Sequence, residues 1–77
     1  MITASVGLNG KNKDPDTRTI QELLNKVPPG QGGPKALLEV DGICGRLTRG
    51  AIHNFQLHHF GWSGADGRVD PGMPTLA

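Results

Sequence analysis

Aromatic side chains are scarce in this sequence. Phe55, Phe60 and Trp62 are the full set, and tyrosine is absent. Each of the three therefore matters, either to packing or to a surface contact. There is one cysteine, Cys44, so an intrachain disulfide is excluded and cysteine usage says nothing about compartment. No apolar run approaches the ~18 residues of a membrane-spanning helix. The first residues lack the apolar stretch of a secretory leader, so no signal peptide is visible. Action outside the cytoplasm would then need another export route or a longer parent chain. A dominant charge is missing too. The formal net charge is +1, and the eight basic residues are scattered from Lys11 to Arg68. A nucleic-acid binder concentrates them in a stripe, so neither nucleic acid nor membrane is expected as a partner.

What the sequence does have is glycine and proline: 12 and 6 in 77 residues. That combination predicts short elements joined by many turns, in one domain with a small core. Residues 1–13 read as an extended N-terminal arm. Ile2, Ala4, Val6 and Leu8 alternate there, as in a short strand packed on the body. The body, 14–77, opens with a helix-start signal: Asp14 as cap, Pro15 at the first helical position, Asp16 complementing the positive helix end. Ile20, Leu23, Leu24 and Val27 form the inward stripe of this helix, which Pro28-Pro29-Gly30 terminates. Ala36 to Val40 is short and apolar and reads as extended near Val40. A second helix is expected from Arg46 to His59, with Leu47, Ala51, Ile52 and Phe55 turned inward. Gly50 weakens it by about 1 kcal/mol relative to alanine, unless a close contact needs the space. Pro74-Thr75-Leu76-Ala77 reads as the start of a third helix, a stub or truncated.

One turn-to-helix device occurs twice. Asp41-Gly42-Ile43-Cys44-Gly45 leads to Thr48, and Asp66-Gly67-Arg68-Val69 leads through Gly72 to Thr75. The aspartate can accept from nearby backbone amides, and the glycine supplies a positive φ. Gly45 is read as a sharp turn into the helix, with Thr48 bonding back to the loop. Gln56, one residue past the apolar Phe55, can hold a loop carbonyl and a loop amide together. Two such loops would face each other across a shallow cleft.

These pieces, with Thr19-Ile20-Gln21-Glu22-Leu23-Leu24-Asn25 and Ala51-Ile52-x-x-Phe55-Gln56, resemble the peptidoglycan-binding domain-like family. Its pattern is a VQ-x-LL helix, DG-I-F-G-x-x-T, A-V-x-x-FQ and a second DG-x-V-G-x-x-T. The resemblance covers roughly residues 15–77. It implies an all-α fold, a small three-helix bundle with two pseudo-repeated DG loops, whose members commonly anchor wall hydrolases or secreted effectors to peptidoglycan. Two departures stand out. Cys44 occupies a slot where the family usually has Phe, Val or Tyr, which a small apolar thiol can still fill. Asp70-Pro71 lengthens the second device before Gly72. The segment His58-His59-Phe60-Gly61-Trp62 is similar to a subgroup attached to secreted bacterial effectors.

Read this way, the chain is a non-catalytic module that takes peptidoglycan as partner and targets an attached or partner hydrolase or effector to the wall. It would act at the cell envelope, in the periplasm or outside the cell. The expected ligand rim is Asp41, Thr48, Arg49, Trp62, Asp66 and Arg68. For each the bland role stands beside the functional one. Asp41 and Asp66 suit turn formation first, with direct ligand contact the lesser role. Trp62 either plugs the small core or offers a face to a sugar ring. Arg68 either pairs with a stem-peptide carboxylate or is simply solvated. Gln56 reads as a buried loop clamp. A protein-interaction or effector-loading domain using Leu57, Phe60 and Trp62 is the alternative. A small metal-dependent hydrolase fits poorly. His53 and His58 sit about 140° apart on a helix, the wrong spacing for a shared zinc, and no nucleophile–base arrangement has a scaffold. No cofactor or metal is expected.

Overall fold

Among the described residues, two amphipathic helices, a 3-10 turn and one short strand pair make up the regular structure. The computed structural model describes residues 2–61, 65 and 67–71. In chain order these form strand β1 (Val6–Gly7), helix α1 (Asp14–Asn25), a 3-10 turn (Pro29–Gln31), helix α2 (Arg46–Phe60) and strand β2 (Arg68–Val69). The fold is thus predominantly helical without being all-α. β1 and β2 pair antiparallel, Val6 opposite Val69 and Gly7 opposite Arg68. The third helix expected from Pro74 lies outside the described residues, as do Gly72 and Thr75 of the second device.

α1 ends close to where the double proline requires, with Lys26 as its C-cap. Its start differs from expectation. Lys13 is the N-cap and makes no side-chain cap bond. The Asp14 carboxylate instead pairs with Arg18 one turn on, at 2.9 Å. Asp16 sits in the first turn, as expected of a residue that complements the helix end, and does more there. It is buried and accepts from the Thr3 amide (2.9 Å), the Ala4 amide (3.1 Å) and the Thr3 hydroxyl (3.0 Å), fixing the N-terminal segment to the helix.

The core is one cluster: Val6, Ile20, Leu24, Ala51, Ile52, Phe55 and Val69. Ile2, Leu23, Val27, Leu38 and Cys44 pack on its edge. The N-terminal segment contributes Val6, which is fully buried, so part of the core comes from outside the two helices. Gly7 makes this possible. Its φ is +120°, and a Cβ there would collide with the Gly67 carbonyl. Leu47 departs from the expected inward stripe and is 80% exposed. Thr48, 100° further round the helix, takes the inward position in the first turn because its hydroxyl meets a buried glutamine there. Cys44 is half-buried against the core, as expected of a small apolar thiol, and desolvation raises its pKa.

Candidate functional site

Two buried glutamines hold the two Asp-Gly loops. Gln21, on α1 beside core residue Ile20, is 1% exposed. Its Oε1 accepts the Gly42 amide at 3.1 Å. Its Nε2 lies 3.0 Å from Asp41 Oδ1, 3.1 Å from the Ile43 carbonyl and 3.0 Å from Thr48 Oγ1. Two N–H groups serve three acceptors there, so at least one bond is shared. Gln56, on α2 beside Phe55, is equally buried. Its Oε1 accepts the Gly67 amide at 2.7 Å and its Nε2 donates to the Arg68 carbonyl at 2.9 Å. The loop glycines match as well, with φ of +75° at Gly42 and +73° at Gly67. The same amide chemistry thus anchors both loops to the helix surfaces.

The first loop has further supports. Asp41 Oδ1 also accepts the Ile43 amide at 2.9 Å. That bond, and then the Gln21 amide, hold the Asp41 carboxyl below the usual carboxylate range. Arg18 reaches across from α1 and donates to the carbonyls of Val40 (3.0 Å) and Asp41 (3.3 Å). The second loop is tied to the N-terminal segment. Asp70 accepts from the Ser5 hydroxyl at 2.6 Å and pairs with Arg68 at 2.8 Å. The hydroxyl first and the guanidinium second keep the Asp70 carboxyl low.

Outside this frame, α2 borders several open depressions; one of about 410 Å³ at the first loop brings Asp41 and Thr48 together with Glu39, Arg46 and Leu47, and two others lie along the helix's solvent face. The first, about 470 Å³, lies between Arg46, Arg49 and His53 on the helix and Leu8, Ala65 and Gly67 opposite. The second, about 410 Å³, lies on the other side of the helix, against Lys35, Leu37, Leu38 and Leu47. Arg46 and Gly50 border both. Arg46 and Arg49 are exposed, and neither has an ion-pair partner among the described residues. They sit in the first turn of a helix whose N-cap, Gly45, makes no side-chain cap bond and whose first turn holds no acidic residue. Positive charge at the positive end of a helix is mildly unfavourable until an anion arrives.

Residues 13–73 match the model of a family described as a peptidoglycan binding domain. The chain belongs to that family. No curated protein and no solved structure matches it significantly, so membership rests on the family model. The peptidoglycan binding domain family is non-catalytic, and the chain is accordingly a binding domain associated with the cell wall and not an enzyme. Among the described residues, no helix is long and apolar enough to cross a membrane. No three or more His, Cys, Asp or Glu side chains gather there as a metal site would require.

Within this binding domain the expected rim residues are placed as follows. Arg49 is exposed and lines the first depression. Asp41 is exposed but its carboxylate is engaged in the first loop. Thr48 is 4% exposed and faces Gln21, away from solvent. Arg68 is half-buried and paired with Asp70. Trp62 and Asp66 lie outside the described residues. Gly45 is in extended backbone that any residue adopts, so it turns no corner by glycine geometry. Three contributors had no role assigned from sequence: Gln21, present only as a motif position, Arg46 and His53. Arg46, Arg49, Gly50 and His53 fall at i, i+3, i+4 and i+7. That spacing marks one helix face, a polar stripe behind the apolar one.

Proposed function

We propose that this domain holds peptidoglycan through the depression between α2 and the second Asp-Gly loop, and so targets an attached or partner hydrolase or effector to the bacterial wall. The observation that carries the reading is the Arg46–Arg49 pair: two exposed guanidiniums one helical turn apart, opposite loop backbone, at a helix start without acidic residues. Stem peptides of the wall bear carboxylates, and guanidinium is the side chain best matched to them. Of the expected rim, Arg49 is the ligand contact in this proposal. Asp41 and Thr48 contribute by fixing the first loop, and Arg68 by fixing the second through Asp70. Trp62 and Asp66 enter through the sequence alone. The three-helix bundle belongs to the same proposal, its third helix falling on residues beyond those described. Action at the envelope, in the periplasm or outside the cell follows from the ligand.

Purified sacculi test this directly. The folded chain is expected to sediment with them. Arg46→Ala and Arg49→Ala should each weaken retention by about tenfold, the value of one charge-assisted hydrogen bond, with an unchanged circular dichroism spectrum. A wild-type chain that is folded but stays in the supernatant would refute the proposal.

A further inference from the structure

Gly50 has no structural reason to be glycine. It lies in the middle of a 15-residue helix, is solvent-exposed, and a Cβ built on it meets nothing within 4 Å. Its φ is not positive. Glycine is the poorest helix former after proline, so the position weakens α2 with no packing return. What the missing side chain does is lower the ridge of α2 between the two depressions, both of which Gly50 borders. On the far side of that saddle stand Leu37 and Leu47, 77% and 80% exposed, with the partly buried Leu38 beneath. Leu37 and Leu47 both line the second depression, so together they offer an apolar wall to a ligand lying there.

We infer that the ligand crosses α2 over Gly50, and that it is the peptide stem of the wall polymer, not its glycan. This rests on the peptidoglycan reading above, which sets stem carboxylates on the two arginines, and adds the route of the stem over Gly50 and the exclusion of the glycan. Charge complementarity decides the occupant. Lys35, Arg46 and Arg49 line the two depressions and no acidic side chain does so among the described residues; Glu39 and Asp41 lie in the adjoining depression that shares Arg46 and the leucines. The stem's carboxylates lie on Arg46 and Arg49, and its aliphatic portion passes over the saddle into the leucine trough. The lining is aliphatic where it is apolar apart from the His53 ring, and its cationic groups match the carboxylates of the stem. Gly50 is therefore a specificity-determining position that acts by leaving the path open.

Gly50→Ala and Gly50→Leu put better helix formers on the saddle. Both are expected to raise the thermal midpoint while reducing retention on sacculi, about threefold for alanine and tenfold or more for leucine, as fits progressive loss of apolar and polar contact. A purely structural glycine would move stability and binding in the same direction. A synthetic stem peptide with free carboxylates should release the bound wild-type chain, and peptide-free glycan strands should not. Sacculi stripped of stem peptides by an amidase should retain little. Equal retention on intact and stripped sacculi, or unchanged binding by Gly50→Leu, overturns this assignment and leaves the peptidoglycan reading standing. Failure of the wild-type chain to bind intact sacculi overturns both.

Discussion

Thr17 shows how local chemistry and burial can disagree at a single side chain. It is fully buried on α1, and its hydroxyl finds no hydrogen-bond partner among the described residues. A buried hydroxyl without a partner costs roughly 1–3 kcal/mol, whereas a methyl in the same place is at home in the core. Thr17→Val, which keeps the branched shape, is therefore expected to stabilise the fold by about 1 kcal/mol. Urea unfolding would show this as a higher midpoint at unchanged slope; a lower midpoint would mean the hydroxyl does have a partner. Leu47 and Thr48 show the reverse case. Periodicity alone places the leucine inward, yet the threonine occupies that position because Gln21 needs an acceptor there. A hydrogen-bond requirement set by another helix outweighs the apolar preference of one residue.

Each helix carries a core residue followed by a glutamine, Ile20-Gln21 on α1 and Phe55-Gln56 on α2, and each glutamine holds the following Asp-Gly loop. Replacing either by methionine keeps the volume and removes the amide. The buried amide of Gly42 or Gly67 is then left without its acceptor, at a cost of roughly 1–3 kcal/mol. Gln21→Met should accelerate hydrogen exchange at Gly42, and Gln56→Met at Gly67, each with a lowered thermal midpoint; unaltered exchange at both amides would remove the clamp role. The Gln56 clamp was legible in the sequence, because an amide just past a core aromatic has a loop within reach. The Gln21 clamp was hidden, since its partners are 20 to 27 positions away. The helices were readable from apolar spacing and proline stops, and α2 extends to Phe60, one residue past expectation. The strand pair was only half visible. Alternation marked Val6, but nothing local marks Val69 as its partner. Of the arginine stripe, Arg49 was legible beside the motif position Thr48, whereas Arg46 was not, because a solvent-facing helix position carries no apolar periodicity to mark it.

At the scale of the whole molecule, carboxylates tie the N-terminal segment to the body. Asp16 binds it to α1 through Thr3 and Ala4, and Asp70 joins Ser5 to the second loop. Asp41 holds the first loop. All three are depressed below the ordinary carboxylate value: Asp16 chiefly by the Thr3 backbone amide, Asp41 by the Ile43 amide, Asp70 by the Ser5 hydroxyl. A carboxyl with a lower pKa folded than unfolded is protonated first in the unfolded chain. Through that interval the unfolded state binds more protons, so stability rises with pH. The contribution is complete above the unfolded value of about 4 and is lost as pH falls through the depressed folded values. The thermal midpoint is expected to be insensitive to these carboxylates between pH 5 and 7, taking about 5 as safely above that unfolded value, and to fall below about 4. Asp16→Asn should lower the midpoint at neutral pH and flatten the acid drop, because the amide keeps one acceptor oxygen but no charge to lose. A midpoint that holds steady down to pH 2, a condition below the ordinary carboxylate range, would show that these ties do not carry the attachment of the N-terminal segment, and that the Val6–Val69 pairing and the core beneath it suffice.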